Sequence, residues 1–484
     1  MRALWAGQDG LVTLGPFLVW LAVLAAAVSA VAAPRPTIAR RLLVVAVAVT
    51  GRPVWVGTCE PQPQQPYCLG MRTSDDLAAA CRADGEFCLA ARHWTGGLRF
   101  DFGDSVAAIT LDEGEARAGD PGDGSGVITV TAPSEVWDRM LQPVPPRFAN
   151  DIAPARALGL QWTGDELLYW QYAPAIQRAV ELLRLGPAPA GAPEPSLPAG
   201  TIDAAIGRYV HLDLGGHDHR VYFEEAGSGV PLLCQHTAGS HGAQWRHLLE
   251  NSAITDRFRV IAYDLPFHGK SLPPVGPQWW AEQYKLDGSF LRSVPVALAE
   301  ALDLDRPVFM GCSVGGLLAL DLAARHPEEF RAVISVEGAL KVDGEWDSLL
   351  GFWHPQVSNE SKARMMEGLT APTSPVEYRK ETTQIYASGW PPAFLGDLWY
   401  YLVDYDLREL AATIDTGQVG VHIMTGHYDW SATVEKGQEA HEAIAGSTFT
   451  AMDGIGHFPM SENPEIFFQY LLPVLDKIAT PETA

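Results

Sequence analysis

The sequence predicts an α/β protein with a mostly parallel sheet and helices on both faces, preceded by a small α+β domain. From about residue 205 onward, short apolar runs alternate with helical segments, which is the pattern of βαβ units. Residues 71–185 instead show several strands followed by one long helix. A proline-rich stretch at 186–200 separates the two patterns. Two folded domains therefore account for most of the chain.

The whole-chain numbers exclude several classes of protein. A chain of 484 residues predicts two or three domains, and 47% hydrophobic with 19% charged residues is typical of a globular protein. The net charge of −24 argues against nucleic acid and anionic membrane surfaces as partners, because phosphate contacts need Lys and Arg. None of the six cysteines forms a CxxC pair, which argues against a zinc finger or ribbon. We expect no metal and no cofactor.

Residues 1–70 differ from the rest in composition, since they contain no Lys. The apolar run over residues 11–33 is long enough for a signal peptide or a membrane anchor, which would make the protein exported or membrane-anchored. Alternatively, Met71 is the working start, which predicts a cytoplasmic protein without stable membrane insertion. Cys234 and Cys312 look buried and unpaired, which favours a reducing compartment. Both interpretations stay open, and the second is preferred.

Residues 71–185 are predicted to form the small α+β domain. The predicted helices are Ser74–Ala83, Ser134–Leu141 and Glu166–Leu185, and the predicted strands are Leu98–Phe102, Val106–Leu111, Val127–Val130 and Leu160–Gly164. The segment from Gly159 to Asp165, running into the last helix, resembles the sterol-carrier-protein-2-like fold. That resemblance implies an apolar tunnel for a lipid-like ligand. A structural appendage with a filled core is the alternative.

Residues 186–200 are predicted to be a semi-rigid extended linker, because prolines recur there among Ala and Gly. Such a linker predicts that the two domains fold and act independently. The second domain then comprises residues 201–484. Its predicted strands are Val230–His236, Phe258–Asp264, Pro307–Gly311, Ala332–Val336, Val419–Thr425 and Thr448–Met452, and its helices include Gly316–Arg325 and Pro464–Ile478.

A GxSxG motif lies between a predicted strand and a predicted helix, at residues 311–315. A serine on such a turn exposes its Oγ, and the flanking glycines remove Cβ atoms that would clash there. The helix that follows favours developing negative charge at its N-terminus. The motif therefore predicts that Ser313 is a nucleophile.

A serine hydroxyl needs a base, and His457 lies in a glycine-rich loop after the last predicted strand. The chain order Ser, acid, His is preserved if Asp429, which follows the penultimate strand, is the acid. Glu337 also follows a strand and is the rival. Asp429 is preferred, and its predicted role is to orient and stabilise the imidazole.

Two further segments carry a family resemblance. Residues 264–271 match an Asp-x-Pro-x-His-Gly-x-Ser turn, and Trp245 follows the loop His236–Ser240. Together with the GxSxG turn, they resemble the α/β-hydrolase superfamily over about 275 residues. The resemblance implies that the backbone N–H groups of Ala238 and Val314 form the oxyanion hole. Thr237 replaces the usual glycine, which leaves its participation open.

The resemblance also implies a cap over the active site at about residues 339–416, where the strand pattern stops and aromatic residues accumulate. Thr237, Trp353 and Trp399 are predicted to contact the substrate. The expected function is hydrolysis of a small hydrophobic or aromatic carboxylic ester, or of a lactone or thioester, through an acyl-enzyme. A C–C bond hydrolase of diketone-like substrates is the alternative enzyme. A non-catalytic lipid-binding protein is the alternative of another class, and the oligomeric state is not predicted.

Overall fold

The computed structural model describes residues 73–184 and 197–479. The predictions for residues 1–70, and those for most of the linker, lie outside these described residues. Within the two described ranges, no helix has both the length and the apolar character needed to cross a bilayer. Cys234 and Cys312 are buried and carry free thiols, as expected.

The first domain is a five-stranded sheet with helices packed against it. The sheet order is β3–β2–β1–β4–β5, with β1 parallel to β4 and the other neighbours antiparallel. In chain order, its elements are α1 (Ser74–Ala83), α2 (Gly85–Ala91), β1 (Gly96–Asp101), β2 (Val106–Asp112), β3 (Glu115–Ala118), β4 (Val127–Thr131), α3 (Ser134–Met140), α4 (Ile152–Ala155), β5 (Gln161–Thr163) and α5 (Glu166–Leu183). This is the predicted α+β arrangement, and the resemblance to the sterol-carrier-protein-2-like fold stays a prediction.

Local chemistry explains the helices that begin this domain. The Thr73 side chain accepts a hydrogen bond from the Asp76 backbone N–H, which caps α1. Asp84 lies between α1 and α2. Its side chain accepts a hydrogen bond from the Phe87 N–H at 2.7 Å, which caps the start of α2. The short α2 and the four-residue β3 were not predicted, because such short elements carry too few residues for a periodic pattern.

The second domain is built on an eight-stranded sheet. Its order is β13–β12–β11–β10–β8–β9–β7–β6, with β7 antiparallel to both of its neighbours and all other pairs parallel. The strands are β6 (Ile206–Leu214), β7 (His217–Ala226), β8 (Val230–Gln235), β9 (Phe258–Tyr263), β10 (Val308–Cys312), β11 (Ala332–Val336), β12 (Gly420–Gly426) and β13 (Thr448–Met452). The six predicted strands are confirmed. The β6–β7 hairpin was missed, because β6 is largely exposed and lacks an apolar run.

Helices cover both faces of this sheet. The consecutive residues Val308 and Phe309 of β10 point to opposite faces of the sheet and belong to two different buried clusters, so the strand is buried on both sides. The core helices are α6 (Arg246–Leu249), α7 (Ser252–Thr255), α8 (Gly288–Ala301), α9 (Val314–Arg325), α13 (Val434–Ala443), α14 (Pro459–Glu462) and α15 (Pro464–Ala479). This doubly covered, mostly parallel sheet is the predicted fold class.

The predicted cap is a helical insertion between β11 and β12. It begins with a 3₁₀ segment at Trp346–Phe352 and ends with a π-helical turn at Tyr400–Asp404, followed by a short 3₁₀ segment at Ala411–Thr413. Between them lie α10 (Asn359–Glu367), α11 (Val376–Ala387) and α12 (Pro391–Trp399).

The two domains share a buried interface, which differs from the expected independence. Arg364 of α10 pairs with Glu181 of α5 at 2.6 Å, and both side chains are largely buried. The Trp170 ring of α5 packs on Phe352 with centroids 4.6 Å apart. The predicted linker and a buried interface are compatible, because linker composition reports only on the segment that joins two domains.

Candidate active site

The predicted nucleophile lies on a strained turn between β10 and α9. Ser313 has φ +60° and ψ −115°, a conformation that non-glycine residues adopt rarely and at some cost in free energy. A Cβ on Gly311 would lie 2.3 Å from the Gly315 carbonyl oxygen, so a side chain does not fit there. The Ser313 N–H donates to the Val336 carbonyl at 2.9 Å, which ties the turn to β11.

His457 and Asp429 meet at the same edge of the sheet, because β12 and β13 are parallel and both residues follow a carboxyl end. The His457 Nδ1 lies 2.7 Å from Asp429 Oδ2. The buried Asp429 carboxylate also accepts from the backbone N–H groups of Ser431 and Ala432, at 2.7 and 3.2 Å. Ser313 and His457 line one cavity. The structure therefore brings the three predicted residues together in the predicted order.

Glu337, the rival acid, lies behind Asp429. Its two carboxyl oxygens accept the Gly426 N–H at 2.9 and 3.0 Å. Burial, followed by the neighbouring Asp429 carboxylate, raises the pKa of Glu337 well above its usual value. A neutral carboxyl can donate a hydrogen bond to a carboxylate, so Glu337 is suited to support Asp429. The geometry favours Asp429 as the partner of His457.

Glu337, Asp429 and His457 also form a group that could hold a metal ion, since one ligand atom from each lies within 4.8 Å of the others. Their polar atoms are already used, however, in the His457–Asp429 bond and in the bonds from Gly426 to Glu337. The donor set is therefore better explained as a hydrogen-bonded chain than as a metal site.

Of the residues predicted to form the oxyanion hole, Ala238 and Thr237 lie on the loop after β8, whereas Val314 does not. Ala238 lines the cavity with Ser313, and Val314 is the first residue of α9. The N–H and hydroxyl of Thr237 both donate to Gln244 Oε1, at 3.1 and 3.0 Å. The Thr237 hydroxyl also contacts the Tyr386 hydroxyl. Thr237 is thus engaged in holding Tyr386, a cavity residue, and its N–H is not available to a substrate.

A cap residue that the sequence did not reveal supports this loop. Asp397 of α12 accepts from the Gly239 N–H at 2.7 Å and pairs with His268 Nε2 at 2.8 Å. The His268 Nδ1 lies 2.9 Å from the Pro266 carbonyl, so both ring nitrogens face acceptors. Burial lowers the pKa of His268, but the Asp397 carboxylate outweighs it, and the net shift is upward. The motif at 264–271 flags His268, whereas nothing in the sequence marks Asp397 as its partner.

The cavity beside Ser313 has a volume of about 230 Å³ and lies between the sheet and the cap. Its apolar and aromatic lining includes Met365, Met366, Leu369, Tyr386, Phe394, Leu398, Tyr401, Leu402 and Trp430. Asp343 and Glu345 are also among the lining residues, and the described residues that line it include no Lys or Arg. The cavity is therefore suited to an uncharged, apolar group.

Trp353 and Trp399, which were predicted to contact the substrate, do not line this cavity. Trp353 is 47% exposed at the surface of the cap. Trp399 packs edge-on against Trp346, with the Lys285 ammonium 3.5 Å above its ring. Aromatic residues on a cap helix face two environments, and the sequence alone assigned these two to the wrong one.

Tyr401, in contrast, lies beside the nucleophile. Its hydroxyl is 2.8 Å from Ser431 Oγ and interacts with the Ser313 side chain. Burial raises the pKa of this phenol, so it is neutral and can donate a hydrogen bond. The sequence shows Tyr401 only as one of several aromatic residues in the cap.

The alpha/beta hydrolase fold family matches residues 230–464, just under half of the chain. The 3-oxoadipate enol-lactonase 2 of Acinetobacter baylyi is 27% identical over 243 residues, which cover 49% of this chain and 85% of that protein. The pimeloyl-[acyl-carrier protein] methyl ester esterase of Vibrio cholerae is 25% identical over 265 residues, 52% of this chain and 96% of that protein.

Among solved structures, a thermophilic esterase from Thermogutta terrifontis superimposes with a TM-score of 0.49 at 19% identity, covering 56% of this chain and 100% of that one. The sheet order, the turn at Ser313 and the family match agree on one assignment. The C-terminal domain has the α/β-hydrolase fold, matches that family over residues 230–464, and is, at the level of the family, an ester hydrolase.

Proposed function

We propose that the C-terminal domain hydrolyses small, uncharged carboxylic esters through an acyl-enzyme formed on Ser313. One observation carries the proposal: Ser313, held at φ +60°, shares a largely apolar cavity with His457, whose Nδ1 is paired with the buried Asp429. A poor nucleophile, a base and a group that orients the base are thus arranged as acyl transfer requires.

In the first half-reaction, His457 Nε2 takes the proton as Ser313 Oγ attacks the ester carbonyl. The Asp429 carboxylate stabilises the imidazolium that results. The developing oxyanion accepts hydrogen bonds from the N–H groups of Ala238 and Val314, and Tyr401 is placed to donate a further one. His457 then returns the proton to the departing alcohol.

In the second half-reaction, His457 removes a proton from water, which attacks the acyl-enzyme. The acyl–Oγ bond then breaks, the acid leaves, and His457 returns the proton to Ser313 Oγ. Every step uses side chains or backbone groups of this chain. A lactone fits the same sequence of steps, and one of the similar proteins is an enol-lactonase. The C–C bond hydrolase alternative has no comparable support from a specific contact.

The lining of the cavity supports an uncharged acyl group. The acidic residues that line it are Asp343 and Glu345, and both are exposed. A substrate carboxylate in this cavity would lack a cationic partner and would lie near like charges. Met365 and Met366 offer adaptable apolar surface to an aliphatic or aromatic chain instead.

A matched pair of esters tests this specificity. We expect p-nitrophenyl butyrate to be hydrolysed with a kcat/KM at least about tenfold above that of mono-p-nitrophenyl succinate, which has a similar length and a terminal carboxylate. Equal or reversed preference would contradict the assignment of an uncharged substrate.

Replacement of the nucleophile tests the chemistry itself. We expect Ser313→Ala to reduce kcat by about 10⁶, as loss of a triad serine does, and to abolish labelling by a fluorophosphonate. Ser335→Ala is the control, since Ser335 is a buried serine on β11 whose hydroxyl donates to the Gly316 carbonyl at 2.8 Å, outside the cavity. Labelling that persists in Ser313→Ala would show that another residue is the nucleophile.

A further inference from the structure

We propose that the N-terminal domain positions the loop that carries His457 (residues 454–458, the base loop), with Asn150 as a positioning residue. The inference rests on the proposed function, in which His457 is the base. It starts at one carbonyl oxygen, that of Gly368 at the end of α10. This oxygen accepts from the Asn150 side-chain amide at 3.0 Å and from the Trp430 indole at 3.3 Å. A loop of the first domain and the residue next to Asp429 therefore share one acceptor.

The next residue of the cap continues the chain of contacts. The Leu369 carbonyl accepts the backbone N–H of His457 at 3.0 Å. A Cβ on Gly456 would lie 2.2 Å from that same carbonyl oxygen, so the two backbones are in direct contact. The segment that Asn150 holds thus forms the support for the backbone of His457.

Glu462 fastens the same two segments together from the other side. Its carboxylate accepts the Gly456 N–H at 2.6 Å and the Ala371 N–H at 3.1 Å, and its side chain is fully buried. The base loop and cap residues 369–371 therefore move as one unit. A displacement of Gly368 would be passed on to His457.

Buried charges anchor this unit to the first domain. The Arg364 guanidinium lies 2.6 Å from Glu181, 3.6 Å from Asp151 and 3.5 Å from Glu367. Burial alone would raise the pKa of Glu181, but Arg364 and nearby arginines hold it below its usual value, so the carboxylate is ionised. Without the first domain, Arg364 would lose two of these three carboxylate partners, and leaving a charge buried without its partner is unfavourable.

The glycine at position 368 points to the same contact. Its φ is −63°, an ordinary helical value that any residue adopts. A Cβ there would lie 2.5 Å from the Asp151 carboxyl carbon. The backbone conformation does not require glycine at this position, whereas the approach of the N-terminal domain does.

The alternative is that the interface only adds stability or shapes the cavity. In that case, its disruption would lower the melting temperature or raise KM for larger esters, while kcat on a small ester would persist. A positioning role predicts instead that kcat falls even for p-nitrophenyl acetate, because the base is displaced from the nucleophile.

A matched pair of variants of the full chain separates these cases. Asn150→Ala removes the buried bond to Gly368. Gln171→Ala removes a bond of nearly equal length, 3.1 Å, from a side-chain amide to the Gln356 carbonyl across the same interface, at an exposed place away from the cavity. We expect Asn150→Ala to lower kcat on p-nitrophenyl acetate about 10- to 100-fold, and Gln171→Ala to leave it within about twofold.

Two further readouts sharpen the test. The acid limb of the kcat/KM profile should move to lower pH in Asn150→Ala, because a loosened His457–Asp429 pair stabilises the imidazolium less. Melting curves establish that each variant is folded at the assay temperature. If Asn150→Ala does not fold, Gly368→Ala replaces it, since its Cβ presses on Asp151 while all polar groups remain.

The outcomes separate the two proposals. If the unmodified protein hydrolyses no ester, or if Ser313→Ala keeps fluorophosphonate labelling, the proposed function fails. If the protein is active through Ser313 but kcat and the pH profile of folded Asn150→Ala or Gly368→Ala match those of Gln171→Ala, the positioning role fails and the proposed function stands.

Discussion

The active-site residues at the carboxyl ends of the strands and the charged residues of the domain interface are about equally buried. The first set can be recognised in the sequence, whereas the second cannot. Ser313, Asp429 and His457 each follow a strand on a short turn, and their spacing and order are visible in the sequence. Arg364 and Glu367 lie on α10, whose sequence, Asn-Glu-Ser-Lys-Ala-Arg-Met-Met-Glu, is typical of a solvent-exposed helix. In the structure both side chains are buried. Local turn chemistry is therefore readable from sequence, whereas pairing between distant charges is not.

The largest effect in the active site is expected from a change of its acid, Asp429. We expect Asp429→Asn to reduce kcat by about 10⁴, because the amide holds the imidazole in the wrong tautomer and does not stabilise its cation. Glu337→Gln should be mild by comparison, since an amide can still donate a hydrogen bond to Asp429. Steady-state kinetics on p-nitrophenyl butyrate distinguish the two; a severe loss in Glu337→Gln with a mild one in Asp429→Asn would reverse the assignment.

The fold and the reacting residues followed from sequence because their causes are local. The strand–turn–helix context of residues 311–315 restricts the serine to one conformation, and parallel strands bring Asp429 and His457 to one edge. Asp397 could not be predicted, because its partners Gly239 and His268 lie more than 120 residues away in the chain. No periodicity or motif records such a contact.

The prediction that Trp353 and Trp399 contact the substrate was wrong for a related reason. Trp353 and Trp399 are aromatic residues of the cap, as are Tyr386 and Tyr401, and only the packing of the cap decides which of them reaches the cavity. An amphipathic cap helix has one face on the domain and one on the cavity. The sequence predicts that such faces exist but not which face meets the substrate.

The second region is tested by removing one of its buried charges. We expect Arg364→Met to lower the free energy of unfolding by about 3 kcal/mol, because Glu181 and Glu367 lose a buried partner. The value is at the low end of the usual range since Arg379 also faces both acids, at 4.0 and 3.3 Å.

The matched control is an ion pair across the same interface at the surface. Arg147 lies 2.7 Å from Glu435, whose side chain is 67% exposed. Arg147→Met should change the free energy of unfolding by less than about 1 kcal/mol, because solvent screens such pairs. Urea unfolding monitored by circular dichroism measures both variants; equal losses would mean that burial does not distinguish the two pairs.

Glu337 makes the stability of the folded protein depend on pH. The titratable groups around it are Asp429, His457, Cys312 and Glu462. Burial and the Asp429 carboxylate raise the pKa of Glu337 above its ordinary value of 4.5. The folded protein therefore keeps a proton that the unfolded chain releases. The stability contributed by this group is fully present below pH 4.5 and is lost as the pH rises toward the folded-state pKa.

Glu337→Gln should remove this loss, since an amide does not ionise. We expect the melting temperature of the wild type to fall more than that of the variant between about pH 5 and about pH 8, by a difference of about 2–4 °C for each kcal/mol involved. Glu328→Gln, at an exposed acid on the surface, should follow the wild type. Parallel melting curves for Glu337→Gln and the wild type across this range would mean that Glu337 is ionised in the folded protein, and that the negative charge beside His457 is shared by two carboxylates.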